Sequence, residues 1–130
     1  MIVLDGSATI DLLIDPLRGA WVREQLGDDP DLHAPHLLDV EVASGVRALA
    51  RRATISVSEA RRALDDFTAL PVGRHAHTLL LARVWQLRAS LSAYDGTYVA
   101  LAEALDAPLV TTDLRLARAH GHRATIVAPS

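Results

Sequence analysis

Five short, largely apolar runs constrain this chain more than anything else in it. They are IVL (2–4), LHAP (32–35), LPVG (70–73), PLVTTD (108–113) and ATIVA (124–128), and between them lie stretches with helical spacing. A strand this short and this apolar has no face to give to water, so it belongs in a parallel sheet covered on both sides by helices. The expected architecture is α/β: an α/β/α sandwich with a parallel sheet of four or five strands, in one domain over residues 1–130. The helical stretches are SATIDLLI (7–14) with Ser7 as its N-cap, LRGAWVREQL (17–26) after the breaker Asp15-Pro16, and HLLDVEVASGVRALARR (36–52). They continue with SVSEARRALDDFTAL (56–70), capped by Ser56 or Ser58, then HTLLLARVWQLRASL (77–91), YDGTYVALAEALDA (94–107) and LRLARAHG (114–121).

Composition removes several kinds of chemistry. No cysteine is present, which excludes disulfides, a thiolate nucleophile and a cysteine zinc site. Every one of the 13 basic residues is arginine, so there is no Schiff-base or Walker-type lysine, and no asparagine occurs to help bind a magnesium ion. This bias matches the codon usage of a GC-rich bacterial genome. Hydrophobic residues make up 50% of the chain and charged residues 22%, the balance of a soluble globular protein. The longest apolar run, TLLLARVW (78–85), is interrupted by charge, so no membrane span is expected. The N-terminus carries no basic region ahead of an apolar stretch, so no signal peptide and a cytoplasmic location are expected. A net charge of −3 argues against a broad basic footprint for nucleic acid, so any polyanion must be held locally.

Two of the strand runs end on an aspartate, Asp5 in IVLD and Asp113 in PLVTTD. A carboxylate beside low-dielectric surroundings needs compensation, either from a helix start that it caps or from a cation. Ligand sites of open α/β sheets lie at the carboxyl edge of the strands, where both aspartates fall. Glu41, one turn into its helix, and Asp95, at the start of another, are placed to reach the same edge. Four acids brought together repel one another, and a hard divalent cation such as Mg²⁺ or Mn²⁺ resolves the conflict with oxygen ligands. Such an ion suits phosphodiester hydrolysis. Each acid also has a purely structural role open to it, since Asp95 and Asp113 suit helix N-termini and Glu41 suits an exposed helix face.

The blocks IVLDGS, APHLLDVEVASGVRAL, YDGTYVALAEAL and PLVTTDLRLARAHG resemble the PIN-domain ribonucleases, specifically the VapC toxins of bacterial toxin–antitoxin pairs. The resemblance runs from Met1 to about Val127. It implies that Asp5, Glu41, Asp95 and Asp113 are the catalytic and metal-binding quartet, with Mg²⁺ or Mn²⁺ as cofactor. Ser7, Thr111 and Thr112 fall beside the first and last aspartates as supporting residues. It further implies cleavage of structured RNA of the translation apparatus, a homodimer, and inhibition by a VapB-type antitoxin. Gly6 and Gly96 depart from the alanine that many relatives carry there. Asp39 turns to another helix face than Glu41 and is expected to be peripheral.

Other folds with a strand-end aspartate fit less well. A response-regulator receiver needs a lysine, haloacid-dehalogenase phosphatases place a second aspartate where this chain has Ser7, and no G-x-G-x-x-G follows the first strand. The surviving alternative is a catalytically silent PIN-like binding module. Arg88 is a candidate for substrate phosphate or for pairing with an acid. Leu12, Leu13, Leu17 and Trp21 are candidates for a groove that receives an antitoxin helix. The histidine pairs HAPH (33, 36), HAH (75, 77) and HGH (120, 122) lack a third ligand at metal spacing and are expected in solvated loops.

Overall fold

A computed structural model describes residues 1–130. The strands are β1 (Ile2–Leu4), β2 (Leu32–Pro35), β3 (Val72–His75), β4 (Leu109–Val110) and β5 (Ile126–Val127). They form one parallel sheet in the order β3-β2-β1-β4-β5. The helices are α1 (Gly6–Ile14), α2 (Pro16–Leu26), α3 (Leu37–Arg51), α4 (Val57–Ala69), α5 (Leu81–Gln86), α6 (Ala93–Leu105) and α7 (Leu114–Ala117). Val3 and Leu4 point to opposite faces of β1, and both are fully buried, so helices cover both faces. On one side α1 packs against α2, α3 and α4; elsewhere α6 runs across β1, β2 and β4 with α5 beside it. No helix is long and apolar enough to cross a membrane.

The strand order determines where a site can form. From β1 the chain builds outward through β2 to β3, then returns to the other side of β1 for β4 and β5. The direction reverses between β1 and β4, and a crevice opens at the carboxyl ends of strands flanking such a reversal. Asp5 follows β1 directly, and Thr111, Thr112 and Asp113 follow β4.

Several elements differ from the sequence expectation. The first helix begins at Gly6, and its N-cap is Asp5, whose Oδ1 accepts from the Ala8 N–H at 2.9 Å. Ser7 lies inside the helix, because the aspartate two residues earlier already satisfies the free amide. Ser56 caps α4 through a full capping box with Glu59, which settles the choice between Ser56 and Ser58. The expected helix over 77–91 is a 3₁₀ turn at Thr78–Leu80 followed by the short α5. Val84, Leu87 and Leu91 turn inward on one face, while Leu79 is 94% and Trp85 66% exposed. One histidine pair forms across the sheet rather than along the sequence. His33 Nδ1 lies 2.8 Å from His75 Nε2, and His33 Nε2 lies 2.9 Å from Asp31 Oδ1. These two histidines stand on adjacent parallel strands rather than in solvated loops, whereas His36, His77, His120 and His122 lie in turns and loops as expected.

Helices α1 and α2 meet most closely at Gly19. A Cβ there would stand 2.7 Å from the Asp11 carbonyl oxygen and 3.3 Å from that of Leu12. Alanine improves helix propensity by about 1 kcal/mol, but a clash with backbone costs about 1–3 kcal/mol and is expected to win. Gly19→Ala should therefore lower the urea midpoint, by about 1 kcal/mol net. A midpoint raised above wild type would show that the two helices separate freely.

Candidate active site

Asp5, Glu41, Asp95 and Asp113 line a single cavity of about 640 Å³, together with Ser7, Ile10, Leu37, Val40, Tyr94 and Tyr98. The four acids come from the end of β1, the second turn of α3, the start of α6 and the N-cap of α7. None of the lining residues is basic. The floor is anionic and the wall formed by Ile10, Leu37 and Val40 is apolar.

Asp5 is the most deeply placed acid, at 4% exposure. Ser7 Oγ donates to its Oδ1 at 2.8 Å, beside the Ala8 amide. Thr111 Oγ1 donates to its Oδ2 at 2.5 Å and accepts from the Asp113 amide at 3.0 Å. Ser7 Oγ also accepts from the Thr112 amide at 3.2 Å and lies 3.2 Å from the Thr111 hydroxyl. These two hydroxyls tie the end of β1 to the segment after β4. Thr112 joins this network through its main chain.

Burial raises the Asp5 carboxyl from its ordinary 3.8 to about 6, against the lowering effect of the Ala8, Thr111 and Ser7 hydrogen bonds. Burial also raises Glu41; the Tyr98 hydrogen bond opposes this, and the Asp95 charge adds to it. Asp95 is raised by burial and by Asp113, with Arg115 and the Ser92 hydrogen bond acting the other way. Tyr98 is 1% exposed, and its hydroxyl donates to Glu41 Oε1 at 2.5 Å. Burial and the Glu41 hydrogen bond push that phenol upward, so it remains a donor. Gly6 gives Glu41 room, since a Cβ there would stand 3.0 Å from Glu41 Oε1. At Gly96 the nearest atom, Val84 Cγ1, would be at an ordinary 3.6 Å, so alanine fits there.

The donor set suits a hard divalent ion: it is all oxygen, with negative charge that no cation in the cavity offsets. No three of these side chains are drawn together as a ready-made ligand set. This is the geometry for an ion held by one or two carboxylates and its own waters, as Mg²⁺ prefers, rather than for a closed zinc site.

Other sequence candidates lie elsewhere. Arg88 is not brought to the cavity. Its guanidinium stacks 4.3 Å from the Trp85 ring, and Nη1 donates to the Trp85 carbonyl at 2.9 Å. Asp39 faces Arg74, which donates to it from Nε and Nη2 at 2.9 and 2.8 Å. Leu12 and Leu13 line a separate depression with Leu26, Leu32 and Leu70. Leu17 is 85% exposed and Trp21 packs partly against the core; neither lines that depression. Sequence reasoning missed Tyr98 and Arg115. A tyrosine in an otherwise apolar helical run was the available signal for Tyr98, because a buried phenol must find a partner. The Arg115 Nε lies 3.8 Å from Asp113 Oδ1.

Two outcomes follow from the buried charge. Asp5 has a raised carboxyl, so folding favours its protonated form, and stability in chelator falls as pH rises from about 4 through 6. At about 1.4 kcal/mol per pH unit, the loss approaches 3 kcal/mol. Asp5→Asn keeps the acceptor for Ala8 and presents an amide to the rotatable Thr111 hydroxyl. In chelator at pH 8 it should melt above wild type and show a flatter pH profile. An Asn variant less stable than wild type across pH 5–8 would contradict the burial argument. Tyr98→Phe should cost about 1–2 kcal/mol of stability, by leaving Glu41 short of its donor. Unchanged stability would mean that water replaces the phenol.

Comparisons with known proteins place the chain in a family and a fold. Residues 2–121 match the PIN domain family. Ribonuclease VapC9 of Mycobacterium tuberculosis is 47% identical over 116 residues, covering 89% of this chain and 88% of that one. Among solved structures, Mycobacterium tuberculosis VapC20, a sarcin-ricin loop cleaving toxin, aligns with a TM-score of 0.66 at 17% identity over 90% of this chain and 93% of that chain. VapBC2 from Rickettsia felis, bound to a DNA fragment from its promoter, aligns at 0.69 and 15% identity over 100% of both chains. At those identities the structures establish the fold, and the sequence relative establishes the family. The chain belongs to the PIN-domain family, among the VapC ribonucleases.

Proposed function

We propose that this ribonuclease is the toxin of a bacterial toxin–antitoxin pair, using Mg²⁺ or Mn²⁺ to hydrolyse phosphodiester bonds in structured RNA of the translation apparatus. The observation that carries this reading is the convergence of Asp5, Glu41, Asp95 and Asp113 on one cavity without a basic residue. Asp5, Glu41, Asp95 and Asp113 would hold the ion between them, one or two directly and the others through its waters. When bound, the ion supplies charge neutralisation, a more acidic water and Lewis-acid stabilisation of phosphate oxygens. Ser7 and Thr111 hold the Asp5 oxygens in a fixed orientation, Tyr98 holds Glu41, and the apolar wall limits access of bulk water. The family relation to VapC9 and the fold shared with the sarcin-ricin loop cleaving VapC20 support an RNA substrate.

The partners follow the same reading. The depression lined by Leu12, Leu13, Leu26, Leu32 and Leu70 takes apolar side chains of an antitoxin helix, and exposed Leu17 with the half-buried Trp21 extends that surface on α2. Exposed Leu79, Leu81 and Trp85 form an apolar face for a second copy of the chain in a homodimer. The protein acts in the cytoplasm, where RNA of the translation apparatus is found.

Asp95 gives the cleanest test, because no hydrogen bond from outside its own helix start reaches its carboxylate, so its removal costs the fold little. Wild type and Asp95→Asn are to be expressed under induction in a bacterial host, and total RNA examined alongside cleavage by the purified proteins with Mn²⁺. Wild type should arrest growth and give discrete fragments, with Asp95→Asn at least about 100-fold slower. Equal behaviour of the two folded proteins would remove Asp95 from the machinery. Tight RNA binding without cleavage by either would favour the silent binding module.

A further inference from the structure

An anionic cavity repels the phosphate it is meant to cleave. A bound ion offsets part of that charge, yet the lining residues include no side chain able to hold a phosphate directly. Most arginines with a defined partner are engaged elsewhere. Arg74 is bound to Asp39 and the Val72 carbonyl, Arg83 to Glu103, and Arg88 to Trp85. Arg115 differs. Its backbone N–H donates to Asp113 Oδ1 at 2.9 Å, so the residue is anchored at the acidic edge. Its side chain is 93% exposed, and its single partner is Asp113, 3.8 Å from Nε, beyond hydrogen-bond length. The whole guanidinium fork is free. Leu116, the next residue, is 1% exposed and fixes α7 in the core, which keeps Arg115 on the outer side.

We propose that Arg115 is the phosphate-binding residue of this site, taking the RNA phosphate that lies against the four carboxylates. The inference rests on the ribonuclease reading above and adds to it the group that grips the substrate. A planar fork of N–H donors matches phosphate oxygens two at a time, which a point charge does not. Arg115 also feels a second acid, since its charge counters the rise of the Asp95 carboxyl. An ion held by Asp113 would weaken the loose Arg115–Asp113 pair further and leave the arginine available to phosphate.

The test uses the full chain with Arg115→Ala, Arg115→Lys and, for comparison, Arg88→Ala. Removing an exposed side chain that donates no hydrogen bond leaves the fold intact. With Mn²⁺ and an RNA cleaved by wild type, Arg115→Ala should lose roughly 10- to 100-fold in kcat/KM, chiefly through KM. The slope of log(1/KM) against log salt should shrink by about 0.7, the loss of one phosphate contact. Arg115→Lys should restore part of the affinity, and Arg88→Ala should match wild type. Calorimetry with Mn²⁺ alone gives the opposite sign, because deleting a positive charge beside Asp113 and Asp95 should tighten the ion by about two- to fivefold. Unchanged kcat/KM and salt slope in an active protein would overturn the assignment, as would weaker Mn²⁺ binding, which would mark Arg115 as a support for Asp113. If wild type cleaves no RNA, the ribonuclease reading fails and takes this inference with it.

Discussion

Burial of the Asp5 carboxylate where the sheet reverses direction is the constraint on which the rest of this structure depends. Parallel pairing puts β1 at the centre of the sheet, so the residue after it is taken out of water whatever its chemistry. A charge in that position costs several kcal/mol unless hydrogen bonds and a counter-charge meet it. The fold supplies the hydrogen bonds from both neighbouring segments: the Ala8 amide and Ser7 from α1, and Thr111 from the end of β4. The Asp5 carboxyl still stays well above its ordinary value, so these bonds do not fully replace water. What remains is an incompletely compensated charge, which is what a hard cation requires of its site.

The other acids repeat this pattern with different supports. Glu41 is held by a buried phenol that cannot easily ionise, and Asp113 is held by the amide that opens α7. Asp95 is the least supported, with only Ser92 of its own helix start and the charge of Arg115 acting in favour of its ionised form. The acid with the most hydrogen bonds therefore sits deepest, and the less supported ones are half-buried. In the proposed role Asp5 would be the fixed ligand of an ion and the outer acids would adjust to substrate, at a cost in stability of the metal-free protein.

Much of this was legible in the sequence because it depends on local pattern. Short apolar runs ending in aspartate place Asp5 and Asp113 at strand ends without any knowledge of tertiary contacts. Helical spacing places Glu41 and Asp95 near helix starts. What was not legible depends on direction and on distance along the chain. Ser7 and Asp5 both carry a capping oxygen, and only the backbone path shows that the aspartate reaches the Ala8 amide. Tyr98 finds Glu41 across 57 residues, and His33 finds His75 across 42 through strand pairing. The choice between Arg88 and Arg115 turns on where two similar side chains point, which neither spacing nor composition records. In the stretch 77–91, spacing and apolar content suggested one long helix, but the chain forms a 3₁₀ turn and a short helix with one face turned inward.

Proton release on ion binding tests the central claim most directly, because it reads the buried charge and the ligand role of Asp5 together. Titration of Mn²⁺ into the metal-free chain, in buffers of different ionisation enthalpy, gives the number of protons expelled per ion at each pH. A carboxyl raised to about 6 is half protonated at pH 6, so Asp5 alone should expel about half a proton there and almost none at pH 8. Release near pH 6 that fades by pH 8, and that Asp5→Asn reduces, is the predicted result. Mn²⁺ binding with no proton release at pH 6, or with release untouched by Asp5→Asn, would show that the ion lies away from Asp5 and would contradict the account.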